Sequence, residues 1–265
     1  MLPIYEALEV IEVISEKAGH TKPWVVSAKT PDGVKLFVTK LYSTFDVNQS
    51  NCVTKEVICN LLAREFDLDA PQCVLIDIPE YLTFKLSPEA QYQYENADHR
   101  LKFATLKLEN VIIAIPQLAK KQFQRRISMD TLFAFDNLIR NADRGFDKTN
   151  LLLSPKTAHL IDHERAFSEK DIRNINIDTL QLEDSFTKYH LFFPYLHKSR
   201  FVNKQSFFND FSYYLNTLKI NKLNNIFSQL RTEGFLDYSE PIYNWIDQVK
   251  QNSTIFVDKL KGAVR

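Results

Sequence analysis

The sequence predicts an α+β chain with its strands in the first part and its helices in the second. Three observations carry this reading. Residues 7–42 alternate apolar and polar like half-buried strands, and 72–78 is a further apolar run of strand length. After Phe167 the apolar positions recur at helical spacing. The composition is that of a globular chain, 45% hydrophobic and 25% charged, and 265 residues suffice for one large domain or for two lobes around a cleft.

The charge balance narrows the possible partners. Lys plus Arg and Asp plus Glu both total 33, so the chain has no domain-wide electrostatic footprint for nucleic acid. No run approaches the ~18 uninterrupted apolar residues of a membrane span. The apolar N-terminal stretch is interrupted by Glu6, Glu9, Glu12 and Glu16, unlike a secretory leader. Cys52, Cys59 and Cys73 are odd in number and lack metal-ligand spacing, which fits reduced thiols in a cytoplasmic protein. Nothing in the sequence bears on oligomeric state.

Taken in order, Leu8–Ile14 and Trp24–Ala28 read as strands, and Pro31-Asp32-Gly33 as a turn into a third strand over Val34–Tyr42. Between the first two strands lies Ser15–Lys22, which is either a plain hairpin turn or a phosphate-cradling loop served by Gly19 with Lys17 or Lys22. Thr54–Phe66 has the pattern of an amphipathic helix, with Val57, Ile58, Leu61, Leu62 and Phe66 on its apolar side. Gln72–Ile78 reads as another strand, the polar, Tyr-rich stretch 85–100 as a loop or insertion, and 101–115 as further β-branched runs. The basic run Ala119–Arg126 suits either an acidic ligand or, more commonly, a solvated linker into a helix. Further helices are expected over Asn203–Lys219 and Asn221–Glu233, the second stopped by Gly234. Ser239 opens another, and Ser253–Leu260 forms a last short one.

The most informative stretch is Ser128–Phe167. Ser128 is placed to cap a helix carrying Met129, Leu132, Phe133, Phe135, Leu138 and Ile139. A polar loop, Asn141–Asn150, follows it. Then come two short apolar runs, Leu151–Leu153 and His159–Ile161, around the turn Ser154-Pro-Lys-Thr157. In such an antiparallel hairpin Asn150, just before the first strand, and Asp162, just after the second, face each other at the open end. Asp143 lies in the loop leading to that end, with Arg144 beside it. Carboxylate and amide oxygens suit a hard cation such as Mg²⁺. A further Asp near the metal can accept a hydroxyl proton, and together these are the minimal equipment for phosphoryl transfer. The plainer alternative is an Asp/Asn-rich turn bonded to its own backbone.

Arg140-Asn-Ala-Asp-Arg-Gly145, then Asn150-Leu-Leu152, then Leu160-Ile-Asp-His163 resemble the catalytic core of HipA-like kinases and, more distantly, that of the type II phosphatidylinositol 4-kinases. The resemblance implies a two-lobed protein-kinase-like fold, with a β-rich N-lobe over 1–116 and a helical C-lobe over 117–265. It implies ATP and Mg²⁺ as cofactors. Asp143 takes the catalytic-base position, Asn150 and Asp162 the metal positions, and Arg144 neutralises charge or braces the loop. Lys40 matches the strand lysine on the ATP phosphates, and Glu56 its partner on the following helix; a solvated first-turn glutamate is the bland alternative for Glu56. The nucleotide hinge falls loosely between 102 and 116, and His163 orients the metal Asp. One departure stands out. Asn150 is seven residues after Asp143, where the protein-kinase loop has five, and Lys148 stands where some related sequences carry an additional Asn. The implied function is ATP-dependent phosphorylation of a protein Ser/Thr hydroxyl. The alternatives are a nucleotide-binding pseudokinase that serves as an interaction module, and a kinase for a lipid or small-molecule hydroxyl.

Overall fold

The computed structural model describes residues 1–14, 22–173 and 175–265, without the side chains of Phe201 and Asn203. The chain is mixed α and β, strand-rich at the N-terminal end and helical toward the C-terminal end. It divides into two compact units.

The first unit holds residues 1–57, 71–109 and 222–237. Its strands are β1 (Ile4–Val13), β2 (Trp24–Thr30), β3 (Gly33–Thr39), β4 (Cys73–Asp77) and β5 (Lys102–Leu106). They close into a barrel in the order β1-β2-β3-β5-β4, with β4 parallel to β1 and every other pair antiparallel. Closure removes the exposed sheet edges that invite aggregation. Trp24, Val26, Phe37, Val74, Ile76 and Ala104 fill the interior. β2 and β3 are joined by a two-residue turn, Pro31–Asp32, leading into Gly33 at φ +109°, a conformation that favours glycine. β1 carries two register shifts against β2, which break its alternation and leave Leu8 and Ile11 exposed.

The helices around the barrel are α1 (Thr44–Asn48), the start of α2 (Cys52–Glu65), α3 (Pro88–Glu95) and, from far along the chain, α10 (Asn224–Thr232). The loop expected at 85–100 is therefore largely helical. Ser87 accepts from the Ala90 N–H at 3.3 Å and Pro88 supplies the preset φ of a first helical turn, a start signal that polar composition masked. α10 secures the N-terminus: the Gln229 amide accepts from the Leu2 N–H at 2.7 Å and donates to the Leu2 carbonyl at 2.9 Å. Gly234 stops α10 at φ +82° while the Phe235 N–H returns to the Leu230 carbonyl. A Cβ at Gly234 would also meet the Arg100 side chain at 3.4 Å. Gly234→Ala is expected to destabilise the protein by about 1–2 kcal/mol, the cost of a left-handed L-residue, read as a lower urea midpoint.

The second unit holds residues 58–70, 110–221 and 238–265. A three-stranded sheet, β6 (Ile112–Ile113), β7 (Leu151–Leu153) and β8 (Ala158–Leu160), carries the expected hairpin, with Leu151 opposite Leu160. The Ser154 N–H closes the turn on the Thr157 carbonyl at 2.9 Å. The basic run forms α4 (Lys120–Gln124), and its Lys120 donates to the Tyr195 carbonyl and to Ser199. α5 (Met129–Leu138) is the buried centre of this unit. Around it are α6 (Glu169–Ile172), α7 (Phe193–His197), α8 (Phe201–Lys204), α9 (Asn209–Thr217), α11 (Ser239–Gln251) and α12 (Ser253–Ala263). The single helix expected over Asn203–Lys219 is thus two, interrupted at Phe208. That residue adopts φ +67°, and its N–H donates to Asp130 at 2.8 Å, so the chain leaves the helical path there. The Ser128 hydroxyl turns to Asp130 and Thr131 rather than to a helix amide. The stacked and tilted rings of Phe66, Phe135, Phe211 and Phe256 are fully buried in the core of this unit.

Candidate active site

In the barrel unit, β3 ends at Thr39 and Lys40 follows it, its N–H donating to the Phe103 carbonyl of β5 at 3.0 Å. This pins the lysine backbone to the barrel wall. The Lys40 ammonium forms an ion pair with Glu56 of α2, and the Tyr42 hydroxyl donates to the same carboxylate at 3.1 Å. Glu56 is only 1% exposed, so it is no solvated first-turn glutamate. α2 as a whole is less amphipathic than its sequence suggests, because Lys55, Glu56 and Asn60 are buried along with its apolar residues. Lys17 and Gly19 lie outside the described residues.

In the second unit, the polar loop and the hairpin bring Asp143, Asn150 and Asp162 together. The Asn150 amide donates to the Asp143 carbonyl at 3.0 Å and to its carboxylate at 3.2 Å. That orientation directs Asn150 Oδ1 away from Asp143 as the acceptor. Lys148 Nζ stands 3.2 Å from Oδ2 of Asp143 and 3.2 Å from Oδ2 of Asp162. Burial pulls the Lys148 pKa down, but the carboxylates of Asp162 and Asp143 outweigh it and hold the ammonium above the ordinary lysine range. Arg165 approaches the other Asp143 oxygen at 3.5 Å. Four non-glycine residues around this cluster adopt left-handed backbone: Arg140 (φ +54°), Asn150 (φ +47°), Asp162 (φ +65°) and Phe167 (φ +46°). Such conformations cost of order 1–3 kcal/mol each and persist where surrounding structure enforces them, most often at functional sites.

The enforcement is visible. Arg144 is fully buried, its Nε donating to Asp136 of α5 at 2.7 Å and its Nη1 to the Asn150 carbonyl. Its Nη2 lies 3.3 Å from Nε2 of His163. Asp136 also accepts from Asn141 at 3.2 Å and from His190 Nε2 at 3.0 Å. His190 Nδ1 accepts the Phe192 N–H, so the ring proton sits on Nε2 and the imidazole is neutral. Burial accordingly pushes the His190 pKa down, against the pull of Asp136. Burial alone would raise Asp136, but the Arg144 guanidinium and then His190 hold its carboxyl below the ordinary range. Farther along, the Phe167 N–H donates to the Ile139 carbonyl at 2.7 Å, and Trp245 Nε1 donates to the Leu138 carbonyl at 2.6 Å, filling acceptors left over at the end of α5. Gly145 allows the loop its close pass against residues 189–191, since a Cβ there would meet the Tyr189 carbonyl at 3.1 Å.

The structure therefore gathers Asp143, Asn150 and Asp162, pairs Lys40 with Glu56, and turns Arg144 inward. Sequence reasoning missed Asp136 and Tyr42, and read His190 as structural without finding its partner. Asp136 had a signal: a lone carboxylate in the apolar run Leu132–Ile139 needs a buried partner, and two arginines, Arg140 and Arg144, follow the helix closely in sequence. His190 had none, because its partner is 54 residues away.

One solved structure similar to this chain is that of CtkA, a proinflammatory kinase of Helicobacter pylori. The two share 12% identity over 91% of this chain and 94% of that one, with a TM-score of 0.44. No curated protein matches the chain. The family model of HipA-like kinases matches residues 8–230, a span that contains the Lys40–Glu56 pair and the whole Asp143–Asp162 cluster. The chain therefore belongs to the HipA-like kinase family.

Proposed function

We propose that this chain transfers the terminal phosphoryl group of ATP to a protein Ser/Thr hydroxyl, as a two-lobed kinase-like enzyme with an N-lobe over 1–116 and a C-lobe over 117–265. The observation that carries the reading is the cluster itself: two carboxylates and an amide, with Asn150 and Asp162 on left-handed backbone, above a buried ion pair. The donor set fits Mg²⁺, since the Asp162 carboxylate and the Asn150 amide oxygen are hard ligands with no thiolate or imidazole among them. Asn150 and Asp162 would hold the ion, which when bound neutralises charge on the phosphates. Asp143 orients the acceptor hydroxyl and takes its proton. Lys40, steadied by Glu56 and Tyr42, contacts the phosphates. Arg144 acts through the loop as a positioning residue, since its guanidinium is spent on Asp136 and the Asn150 carbonyl. Among the described residues no helix is long and apolar enough to cross a membrane, and the three cysteines are buried free thiols, consistent with a cytoplasmic enzyme.

The second reading, a nucleotide-binding pseudokinase that serves as an interaction module, is favoured by one observation: Lys148 occupies the space between the two carboxylates. Thermal melting with ATP and Mg²⁺ tests nucleotide binding. A ligand in hundredfold excess over its dissociation constant stabilises the folded state by about 2.7 kcal/mol. A Mg²⁺-dependent rise is expected, and Asp162→Ala should lose it. No rise with any nucleotide would sink both nucleotide readings. A rise without phosphate transfer to any protein would favour the module.

A further inference from the structure

We propose that the Lys148 ammonium is a built-in cation of this site, standing between Asp143 and Asp162 in place of a second metal ion, so that the site takes one divalent ion with its nucleotide. The inference rests on the phosphotransferase reading above.

The geometry makes the case. Lys148 Nζ lies at the same distance, 3.2 Å, from one oxygen of each carboxylate. Asp143 belongs to the loop and Asp162 to the far end of the hairpin, so the lysine joins two segments that only the fold brings together. Two carboxylates that face one point repel each other unless a cation lies between them. In two-metal phosphoryl-transfer sites that cation is a second ion, about 3.5–4 Å from the first. Here the position is already filled by a compact point charge on a covalent tether. The backbone beneath it is fixed as well: the Lys148 carbonyl accepts from the Gly145 N–H at 2.9 Å, closing the loop from which the side chain reaches inward.

The oxygens are divided accordingly. Oδ2 of Asp143 receives both Lys148 and the Asn150 amide, and Oδ2 of Asp162 receives Lys148. A divalent ion would be held by Asn150 and Asp162. Lys148 supplies charge to the site but no coordination geometry. It therefore lowers the affinity for another cation between the carboxylates while leaving the Asn150–Asp162 position in place. A lysine that merely decorated the surface would leave the metal count alone.

The test counts ions rather than turnover. Each protein is saturated with a non-hydrolysable ATP analogue and titrated with Mn²⁺, and free Mn²⁺ is followed by electron paramagnetic resonance. Wild type is expected to bind one ion. Lys148→Met is expected to bind two, the second about tenfold tighter or more than any second ion in wild type, because a like charge at hydrogen-bond range is gone. Lys148→Arg keeps the charge and should bind one. The side chain is 40% exposed, so the substitutions open no core, and unliganded melting temperatures check that all three proteins are folded. Two ions in wild type, or one in Lys148→Met, overturns the inference and leaves the phosphotransferase reading standing. No Mn²⁺-dependent binding of the analogue by any of the three overturns both.

Discussion

Asp143→Asn is expected to reduce phosphate transfer by about 10²–10⁴-fold, the usual contribution of a positioned general base, while leaving nucleotide binding nearly intact. The substitution keeps the side-chain shape. The Asn150 bond to the residue-143 carbonyl at 3.0 Å is a backbone contact and survives it. What disappears is the negative charge between Lys148 at 3.2 Å and Arg165 at 3.5 Å, and with it the proton acceptor. The loss should therefore appear in kcat, with the KM for ATP little changed, because an interaction made chiefly in the transition state has gone. Radiolabelled transfer from ATP to a protein acceptor, or to the enzyme itself, gives the readout. Activity within a few-fold of wild type would remove Asp143 from the base position. A parallel collapse of nucleotide binding would mean that the residue belongs to the metal and phosphate contacts instead.

Such a residue could be singled out from sequence because its neighbours are local. Asp143, Asn150 and Asp162 lie within twenty residues of one another. A hairpin whose turn, Ser154–Thr157, is visible in its composition fixes how the ends meet, and the structure pairs Leu151 with Leu160 as that turn requires. The Lys40–Glu56 pair came from the family resemblance, and the structure joins these two side chains, sixteen residues apart, in an ion pair. What escaped depends on distant chain. Closure of the barrel rests on β4 pairing parallel to β1 some seventy residues away, and no local pattern encodes it. α10 returns to the barrel unit through Gln229 and Leu2, 227 residues apart. α3 was hidden for a different reason: it is polar nearly all round, so only its Ser-Pro start distinguished it from a loop. Lys148 was noticeable only as a departure from a family pattern. Its place between two carboxylates emerges from the fold.

The buried brace beneath the loop should be the most sensitive point for stability. Asp136→Ala removes the acceptor of Arg144 at 2.7 Å, His190 at 3.0 Å and Asn141 at 3.2 Å, and strands a fully buried guanidinium. Breaking one half of a buried ion pair costs about 3–5 kcal/mol, because the remaining charge is left uncompensated. Arg144→Met should cost a similar amount by stranding Asp136. The double variant Asp136→Ala/Arg144→Met should be less destabilised than the sum of the two, since no lone charge remains. It should nevertheless stay impaired in transfer, because the Asn150 carbonyl loses the Arg144 donor that fixes it. A strictly additive double variant would refute the coupling, and a double variant with wild-type transfer would refute the positioning role. The same network predicts acid sensitivity. Asp136 has a folded pKa below the ordinary carboxylate range, so its contribution is full above that range and is lost as pH falls through the folded pKa. Burial holds His190 neutral, its pKa below that of a free histidine, so the unfolded chain takes up its proton first and stability declines as pH drops under about 6.5. Urea midpoints measured from pH 8 down to pH 4 should fall on the acid side of that value, and His190→Gln should flatten the first part of the fall. A midpoint that rises on acidification would show that His190 is protonated in the fold, with Nε2 still donating to Asp136 and the Phe192 N–H bond to Nδ1 lost.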